Sequence, residues 1–248
     1  MNIKVLVATH KKYCMPAERI YLPIQVGKAG KESLGYQGDD IGDNISWKNP
    51  SYCELTGAYW GWKNLQCDYV GLCHYRRYFL KKYSWGEKLF KRIVRQNLDI
   101  MDEKDFANIL NVYDIILPKQ VDIAPCTIYE HYAENHNIRD LDVVRSIIRE
   151  SFFEYSDLFD EILFGRKRLY AFNMLVAKKS LYDEYCEWLF KILGLAEKKI
   201  DISSYDNYQR RVFGFLSERL LNVWVEKQKL SIYEADVGDI GKVLWKLK

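Results

Sequence analysis

An imidazole and two adjacent guanidiniums follow a short apolar segment that begins at Tyr69; they belong to His74, Arg76 and Arg77. Isolated charges are costly near a hydrophobic core, so the interior of a buried strand has no use for this cluster. Such a cluster suits the end of a strand that faces a ligand, because the rigid donor fork of arginine fits phosphate oxygens. If the strand continued, alternation would point Arg76 and Arg77 to opposite sides, and one of them would reach a diphosphate. The alternative is a structural role, in which the arginines pair with local carboxylates.

Acidic and amide side chains are a second set of groups that can do chemistry. Four of them lie in a loop rich in glycine, where they can bind sugar hydroxyls, a ribose, a base or a divalent cation, or stay solvated; they are Asp39, Asp40, Asp43 and Asn44. A further amide, Asn173, interrupts the apolar run 171–177. Because a buried amide must form hydrogen bonds, Asn173 contacts either a substrate or the backbone.

Two more candidates lie on predicted helices. Glu218 shares a helix face with Arg211, Phe215 and Asn222. Such a carboxylate is either a salt-bridge partner or a general base that deprotonates a sugar hydroxyl within hydrogen-bond reach. Lys63 lies near the end of an aromatic-rich helix, which either packs into the core or lets this ammonium group reach an anionic ligand.

The strands that must position these groups follow from the hydrophobic pattern. The β-branched run 3–8 predicts a buried first strand of a parallel sheet, and Thr9, His10 and Lys11 follow its end. Further buried strands are predicted over 69–73, 113–117 and 171–177. Three predicted strand ends therefore carry polar or charged side chains that can bind a ligand.

Helices are predicted between these strands. Residues 28–49 form a long polar loop, after which Asn49 caps a helix with proline at its first position. That helix extends to about residue 66, and others are predicted over 126–136, 140–150, 180–195 and 205–228. Strands that alternate with helices predict an α/β fold with a mostly parallel central sheet flanked by helices. In such sheets ligands bind beyond the carboxyl ends of the strands.

The composition excludes several classes of protein. A chain of 248 residues that is 48% hydrophobic can form one large domain. The net charge of +3 is too small to indicate nucleic-acid binding. No phosphate-binding loop of the GxxxxGK type, dinucleotide fingerprint or nucleophile elbow is present, and the six cysteines have no zinc-ligand or disulfide pattern. With no apolar run long enough to span a bilayer, the predicted location is the reducing cytoplasm.

Residues 81–100 combine many lysines and arginines with apolar side chains, which predicts a basic amphipathic helix. Such a helix is either a solvated surface element or a contact with the inner face of the cell membrane.

Several stretches of the chain are similar to a known family. They are Asp43–Asn49, Tyr52–Thr56, Tyr59–Asn64, Gly71–Phe79 with its HYRRYF block, Tyr185–Phe190 and Arg211–Leu220. In this order they resemble a bacterial family of capsular and exopolysaccharide glycosyltransferases, long described only as a domain of unknown function. The resemblance covers nearly the whole chain.

This resemblance implies a GT-A-like fold in a single domain, residues 1–248, with a nucleotide-binding half over about 1–120 and an acceptor-binding half over about 121–248. It implies transfer of a hexose, galactose in pyranose or furanose form, from a UDP-sugar to a growing lipid-linked glycan of capsule, exopolysaccharide or O-antigen. Typical GT-A enzymes carry an Asp-x-Asp metal motif where this chain has His74–Arg77. Arginines therefore take the place of a metal in this prediction, although Mn²⁺ or Mg²⁺ binding at Asp39 and Asp40 stays open.

The expected roles of the candidate residues follow from this resemblance and from the strand ends. Thr9, His10 and Lys11 are expected to border the nucleotide, and Asp43 and Asn44 to contact the nucleobase, the ribose or the donor sugar. The diphosphate is expected near His74, Arg76 and Arg77, and the sugars near Asn173. Glu218 is the candidate catalytic base, and Asp39 and Asp40 are alternatives to it. Lys63 is a further substrate-binding candidate. The alternative function is a non-catalytic protein that binds carbohydrate or a nucleotide sugar.

Overall fold

A computed structural model describes residues 1–84, 86–87 and 99–239 of the chain. Strands and helices alternate along much of this part of the sequence. The strands are β1 (Ile3–Thr9), β2 (Tyr21–Gln25), β3 (Gln37–Gly38), β4 (Tyr69–His74), β5 (Arg77–Phe79), β6 (Ile115–Pro118), β7 (Val121–Asp122), β8 (Arg168–Leu169), β9 (Leu175–Lys178), β10 (Ile232–Ala235) and β11 (Val237–Asp239). The α-helices are α1 (Asn49–Tyr52), α2 (Leu55–Asn64), α3 (Glu103–Leu110), α4 (Ile128–Asn135), α5 (Ile138–Ser151), α6 (Ser156–Gly165), α7 (Lys179–Glu197) and α8 (Val212–Gln228).

One mixed sheet organises the fold, with the strand order β10-β6-β9-β4-β1-β2-β3. Neighbours along this path are parallel except at β9, which is antiparallel to both β4 and β6. The short strand β5 pairs with the end of β4 and with β11, outside this path. The predicted α/β architecture with a mostly parallel central sheet flanked by helices is therefore confirmed.

The core lies on both faces of this sheet because consecutive residues in the middle of its central strands are apolar and buried. On β1, Leu6 and Ala8 belong to a cluster that includes side chains of α2, α5, α7 and α8, whereas Val5 and Val7 face a smaller cluster around Phe106 of α3. The alternation of side chains along a strand assigns these neighbours to opposite layers. The polar residues after β1 and β4 are thereby left at the carboxyl edge of the sheet.

The predicted helix over 49–66 is interrupted. Cys53 takes a left-handed backbone angle, φ 51°, between α1 and α2. Asn49 lies inside α1 instead of capping it, and its side-chain amide donates to the Cys53 carbonyl over 2.7 Å. This local bond competes with a continuous helix, and the break places Glu54 immediately before α2.

Two other boundaries differ from the sequence prediction. The strand predicted over 171–177 begins at Leu175, because Phe172 and Asn173 both have positive φ angles, 75° and 51°. The helix predicted from residue 205 begins at Val212, after a short 3₁₀ turn. Most of the basic helix predicted over 81–100 lies outside the described residues. Within the ranges that the structure describes, no helix has the length and apolarity needed to cross a membrane.

The close approach of β4 and β9 gives a prediction on stability. A Cβ at Gly71 would lie 2.7 Å from Val176 Cγ2 and 2.9 Å from the Leu175 carbonyl oxygen. Gly71→Ala is therefore expected to lower the free energy of unfolding by about 1–3 kcal/mol, measured by urea denaturation. Gly194→Ala is the matched control: a Cβ there meets nothing within 4 Å, and alanine in a helix should stabilise by about 0.5–1 kcal/mol. Equal effects of the two substitutions would contradict this packing argument.

Candidate active site

A cleft of about 660 Å³ opens at the carboxyl edge of β1 and β4. It is lined by Ala8, His10, Val26, Asn49, Pro50, Cys53, Glu54, His74, Tyr75, Arg76, Arg77, Asn207, Arg210 and Arg211. Residues from both halves of the sequence contribute, since Asn207, Arg210 and Arg211 come from the segment before α8. We refer to this cavity as the larger cleft.

Positive charge dominates the larger cleft. Four arginines line it, and Glu54 is the sole carboxylate in the lining. Arg76, Arg77 and Arg211 are exposed, and none of the four has a carboxylate partner at ion-pair distance among the described residues. The pKa of the neighbouring His10 is lowered by burial first and then by nearby cations. Guanidiniums without counter-ions favour an anionic ligand, and their forked donors fit phosphate oxygens.

The end of β4 explains how both adjacent arginines reach the larger cleft. The strand stops at His74, a turn contains Tyr75 and Arg76, and β5 starts at Arg77. The alternation that would separate Arg76 from Arg77 applies only to a continuous strand, so both side chains line the cavity. The ring of Tyr75 packs edge-on against His10, with 5.4 Å between ring centroids.

Phe172 and Asn173, whose φ angles are positive, form a corner before β9. This corner contacts His74 and Glu54, which line the larger cleft. The Nε2 atom of His74 lies 2.6 Å from the Phe172 carbonyl oxygen; since a carbonyl oxygen only accepts, Nε2 carries the proton. Asn173 is buried, and its amide donates to Glu54 over 2.7 Å and to the Gly214 carbonyl over 3.1 Å. Its own oxygen accepts from Ser217 over 2.6 Å. These bonds hold a backbone conformation that non-glycine residues rarely adopt.

A second cavity, of about 360 Å³, lies beside the larger cleft. We call it the smaller cavity; it is lined by Arg77, Val121, Ile123, His131, Asn135, His136, Leu169, Ala171, Phe172, Tyr208, Arg211, Phe215, Glu218 and Arg219. Arg77 and Arg211 line both cavities. The guanidinium carbon of Arg77 lies 4.4 Å from the ring centre of Phe172. The two cavities therefore share one wall of cationic side chains.

Glu218 lies in the smaller cavity on the face of α8 that the sequence predicts. Its carboxylate accepts from the Phe172 backbone over 3.0 Å and from Arg219 over 3.0 Å, while 21% of its side chain is exposed. Burial raises the pKa of Glu218, and the nearby Glu54 carboxylate adds to this, whereas Arg219 opposes it. An oriented carboxylate with a raised pKa is a suitable general base.

Asp39 and Asp40 belong to the polar loop over 28–49, referred to below as the acidic loop, and their carboxylates contact neighbouring residues of the chain. Asp39 is fully buried and accepts from the backbone of Gly27 and Lys28 over 2.8 and 3.0 Å, and from Ser46. Asp40 lies 3.7 Å from Lys28 in an ion pair. Neither aspartate lines either cavity. Both carboxylates are thus engaged with neighbouring groups of the chain.

Other predicted ligand contacts also lie outside the two cavities. Asp43 accepts from Tyr59 over 3.1 Å, and the Asn44 amide donates to the Gly42 carbonyl over 2.8 Å. The Thr9 hydroxyl donates to the Lys11 carbonyl over 2.6 Å. The side-chain ammonium of Lys11 lies 5.4 Å from the Tyr75 ring, and that of Lys63 lies 3.4 Å from the Trp62 ring on a separate surface. The structure thus brings His10, His74, Arg76, Arg77 and Glu218 into the linings of the two cavities. Asn173 lines neither of them, because its buried amide is bound to Glu54 and Gly214.

Several site residues were missed by the sequence analysis. Glu54 and Arg210 line the larger cleft, and His131 and His136 line the smaller cavity. Glu54 gave a weak signal as a carboxylate among aromatic residues, but the histidines had no spacing that predicts a site. Over the described ranges, no group of three or more His, Cys, Asp or Glu side chains is arranged to hold a metal ion.

Comparison with known proteins identifies the family of this chain and a solved structure of similar fold. Residues 4–229 match a family described as a domain of unknown function, DUF4422. A solved apo structure of WbbM, a bifunctional glycosyltransferase, matches 96% of this chain with a TM-score of 0.83 and 32% sequence identity. The chain covers 45% of that protein. No curated protein matches the chain. The structural match confirms the predicted GT-A-like α/β fold.

Proposed function

We propose, from the premise that this chain belongs to the DUF4422 family, that it is a glycosyltransferase that uses a nucleotide-sugar donor. The four arginines of the larger cleft, which have no carboxylate at ion-pair distance within the described ranges, carry this proposal. They meet at the carboxyl edge of a parallel sheet, where nucleotides bind in α/β folds. The likeness to WbbM, named as a bifunctional glycosyltransferase, supports the same class of reaction.

In this proposal the larger cleft holds a UDP-hexose, with galactose as the expected sugar. Arg76 and Arg77 bind the diphosphate, assisted by Arg211, while His10 and Tyr75 border the nucleotide. Charge-assisted hydrogen bonds from guanidiniums stabilise the charge that develops on a leaving diphosphate. We expect a growing lipid-linked glycan of capsule, exopolysaccharide or O-antigen as the acceptor, at the cytoplasmic face of the membrane.

Glu218 is the proposed general base. It takes the proton of an acceptor hydroxyl while that oxygen forms a bond to the anomeric carbon of the donor sugar. The bond between this carbon and the diphosphate oxygen breaks, and its electron pair leaves with UDP. A single displacement of this kind inverts the anomeric centre. Every step uses side chains of the chain itself, and none is assigned to Asp39 or Asp40, whose carboxylates are bound within the loop.

A second candidate is a protein that binds nucleotide sugars without catalysis. One observation favours it: both carboxylate oxygens of Glu218 already accept hydrogen bonds, from Phe172 and Arg219. Release of UDP from UDP-galactose, measured with and without a glycan acceptor, separates the two functions. Turnover supports the transferase, and tight binding without turnover supports the binding protein.

Calorimetric titration with UDP tests the donor proposal. We expect a dissociation constant in the micromolar range, corresponding to a binding free energy of about −6 to −8 kcal/mol. Uridine, which lacks the diphosphate, is the matched control ligand and should bind at least about tenfold more weakly if arginines supply the main contacts. Absence of UDP binding would exclude a UDP-sugar as donor. Strict dependence on Mn²⁺ would exclude the replacement of a metal by arginines.

A further inference from the structure

An aromatic stack forms one wall of the smaller cavity. The rings of His136 and Phe215 lie 3.9 Å apart at 21°, and Tyr208 lies 5.2 Å from Phe215. Tyr208 is 50% exposed, while Phe215 and His136 are half-buried. A core would bury such a stack fully, whereas here its open end reaches solvent. Aromatic faces of this kind pack against the C–H face of a sugar ring.

Polar groups in the same cavity lack partners. The Nδ1 atom of His136 and the Nε atom of Arg219 are buried and have no hydrogen-bond partner in the described part of the chain. Arg219 is 2% exposed, so water has little access to its unpaired Nε–H donor. Buried donors and acceptors without partners are costly. Both residues line the smaller cavity, so its wall keeps hydrogen-bonding groups that the described part of the chain leaves unused.

The ionisation of this cavity suits an uncharged ligand. Burial, followed by the charge of Arg219, lowers the pKa of His136 to about 4, so its imidazole is neutral at pH 7. A neutral imidazole can both donate to and accept from a hydroxyl. Glu218 neutralises Arg219 through their 3.0 Å ion pair. The remaining cations, Arg77 and Arg211, belong to the wall shared with the larger cleft.

We propose that the smaller cavity is the acceptor subsite and binds an uncharged sugar unit of the glycan that receives the transferred hexose. The inference rests on the proposed function, which assigns the donor to the larger cleft. A sugar stacked on Phe215 and Tyr208 would share its cavity with Glu218 and would adjoin the donor at Arg77 and Arg211, which line both cavities. The position of the base beside this sugar is what proton removal from an acceptor requires.

Saturation-transfer NMR with simple glycosides tests the subsite. The probes are the methyl α- and β-glycosides of glucose, galactose, mannose and N-acetylglucosamine, each added to protein saturated with UDP. The variants are Phe215→Ala and the more exposed Tyr208→Ala, which is less prone to disturb folding. Phe153→Ala is the matched control, because its ring is 77% exposed and lines neither cavity.

We expect at least one glycoside to bind the wild type and the Phe153→Ala variant, and to bind both cavity variants about 5–10-fold more weakly. UDP affinity should fall less than glycoside affinity in both cavity variants and stay unchanged in Phe153→Ala. The stack does not line the larger cleft and meets it only through Arg211, whose guanidinium lies 5.3 Å from the Phe215 ring and 6.0 Å from the Tyr208 ring. Binding of UDP without binding of any glycoside would overturn the subsite alone. A parallel loss of UDP affinity in the cavity variants would instead assign the cavity to the donor. Failure of the wild type to bind UDP would refute the proposed function itself.

Discussion

Glu218→Gln is expected to lower the turnover of sugar transfer by about 10²–10⁴-fold, the usual contribution of a general base. Glutamine keeps the side-chain oxygen that accepts from the Phe172 backbone over 3.0 Å, so the corner before β9 retains a bond. It cannot accept a proton from an acceptor hydroxyl. UDP affinity should be unchanged, because Glu218 does not line the larger cleft. Steady-state transfer assays and UDP titration measure the two quantities.

The pH profile gives an independent check of this base. Glu218 must be ionised to act, and burial raises its pKa above the usual range of glutamate. The turnover number should therefore rise with pH through this raised pKa and fall as the carboxylate is protonated at lower pH. The residual activity of Glu218→Gln should lack this acidic limb.

Two further variants make the result specific. Glu184→Gln, at an exposed position of α7, is the matched control and should retain wild-type turnover. Unchanged turnover in Glu218→Gln would remove Glu218 as the base. Glu54, the carboxylate that lines the larger cleft, would then be the candidate to test through Glu54→Gln.

Arg77→Ala is expected to lower kcat/KM for the nucleotide sugar by about 10²–10³-fold, the cost of removing one preorganised donor from a developing negative charge. Arg77 lines both cavities and has no carboxylate partner at ion-pair distance among the described residues. Its loss therefore removes positive charge that no described carboxylate neutralises through an ion pair. Arg77→Lys keeps the charge without the forked donors and should recover only part of the activity.

Arg19→Ala is the control for Arg77→Ala, because Arg19 is exposed and lines neither cavity. It should change kcat/KM by less than about twofold. If Arg77→Ala leaves UDP affinity and kcat/KM intact, then Arg76, Arg210 and Arg211 must hold the diphosphate without it. Full activity of Arg77→Lys would show that charge alone suffices and that guanidinium geometry does not matter.

The central strands and the main helices could be predicted from the sequence because their patterns are strong. A largely apolar, β-branched run predicts β1, and the spacing of apolar residues predicts the last long helix. The short strands β2, β3, β10 and β11 contribute two to five residues each, too few for a periodicity. The reversed direction of β9 also has no local signal, since orientation depends on pairing with β4 and β6.

Most of the candidate site that could be predicted lies where charge follows a strand. His10, His74, Arg76 and Arg77 meet this condition and line the larger cleft. Glu218 is predicted instead from its place on a helix face, and it lines the smaller cavity. The acidic loop illustrates the limit of such reasoning. Asp39 has the right side chain for a ligand, yet its oxygens accept hydrogen bonds from the chain that folds around it. Sequence spacing does not show which donors a carboxylate will meet.

The reversed strand β9 restricts changes in the length of the chain. Its side chains alternate between two separate cores: Leu175 and Ala177 pack in one, Met174 and Val176 belong to the other. Insertion or deletion of a single residue within the strand would exchange these sets, because side chains along a strand alternate with a period of two. Asn173, two residues before the strand, is bound to Glu54 and cannot absorb the shift. Among related chains, length variation should therefore be tolerated in the loops around this strand and excluded between residues 172 and 178.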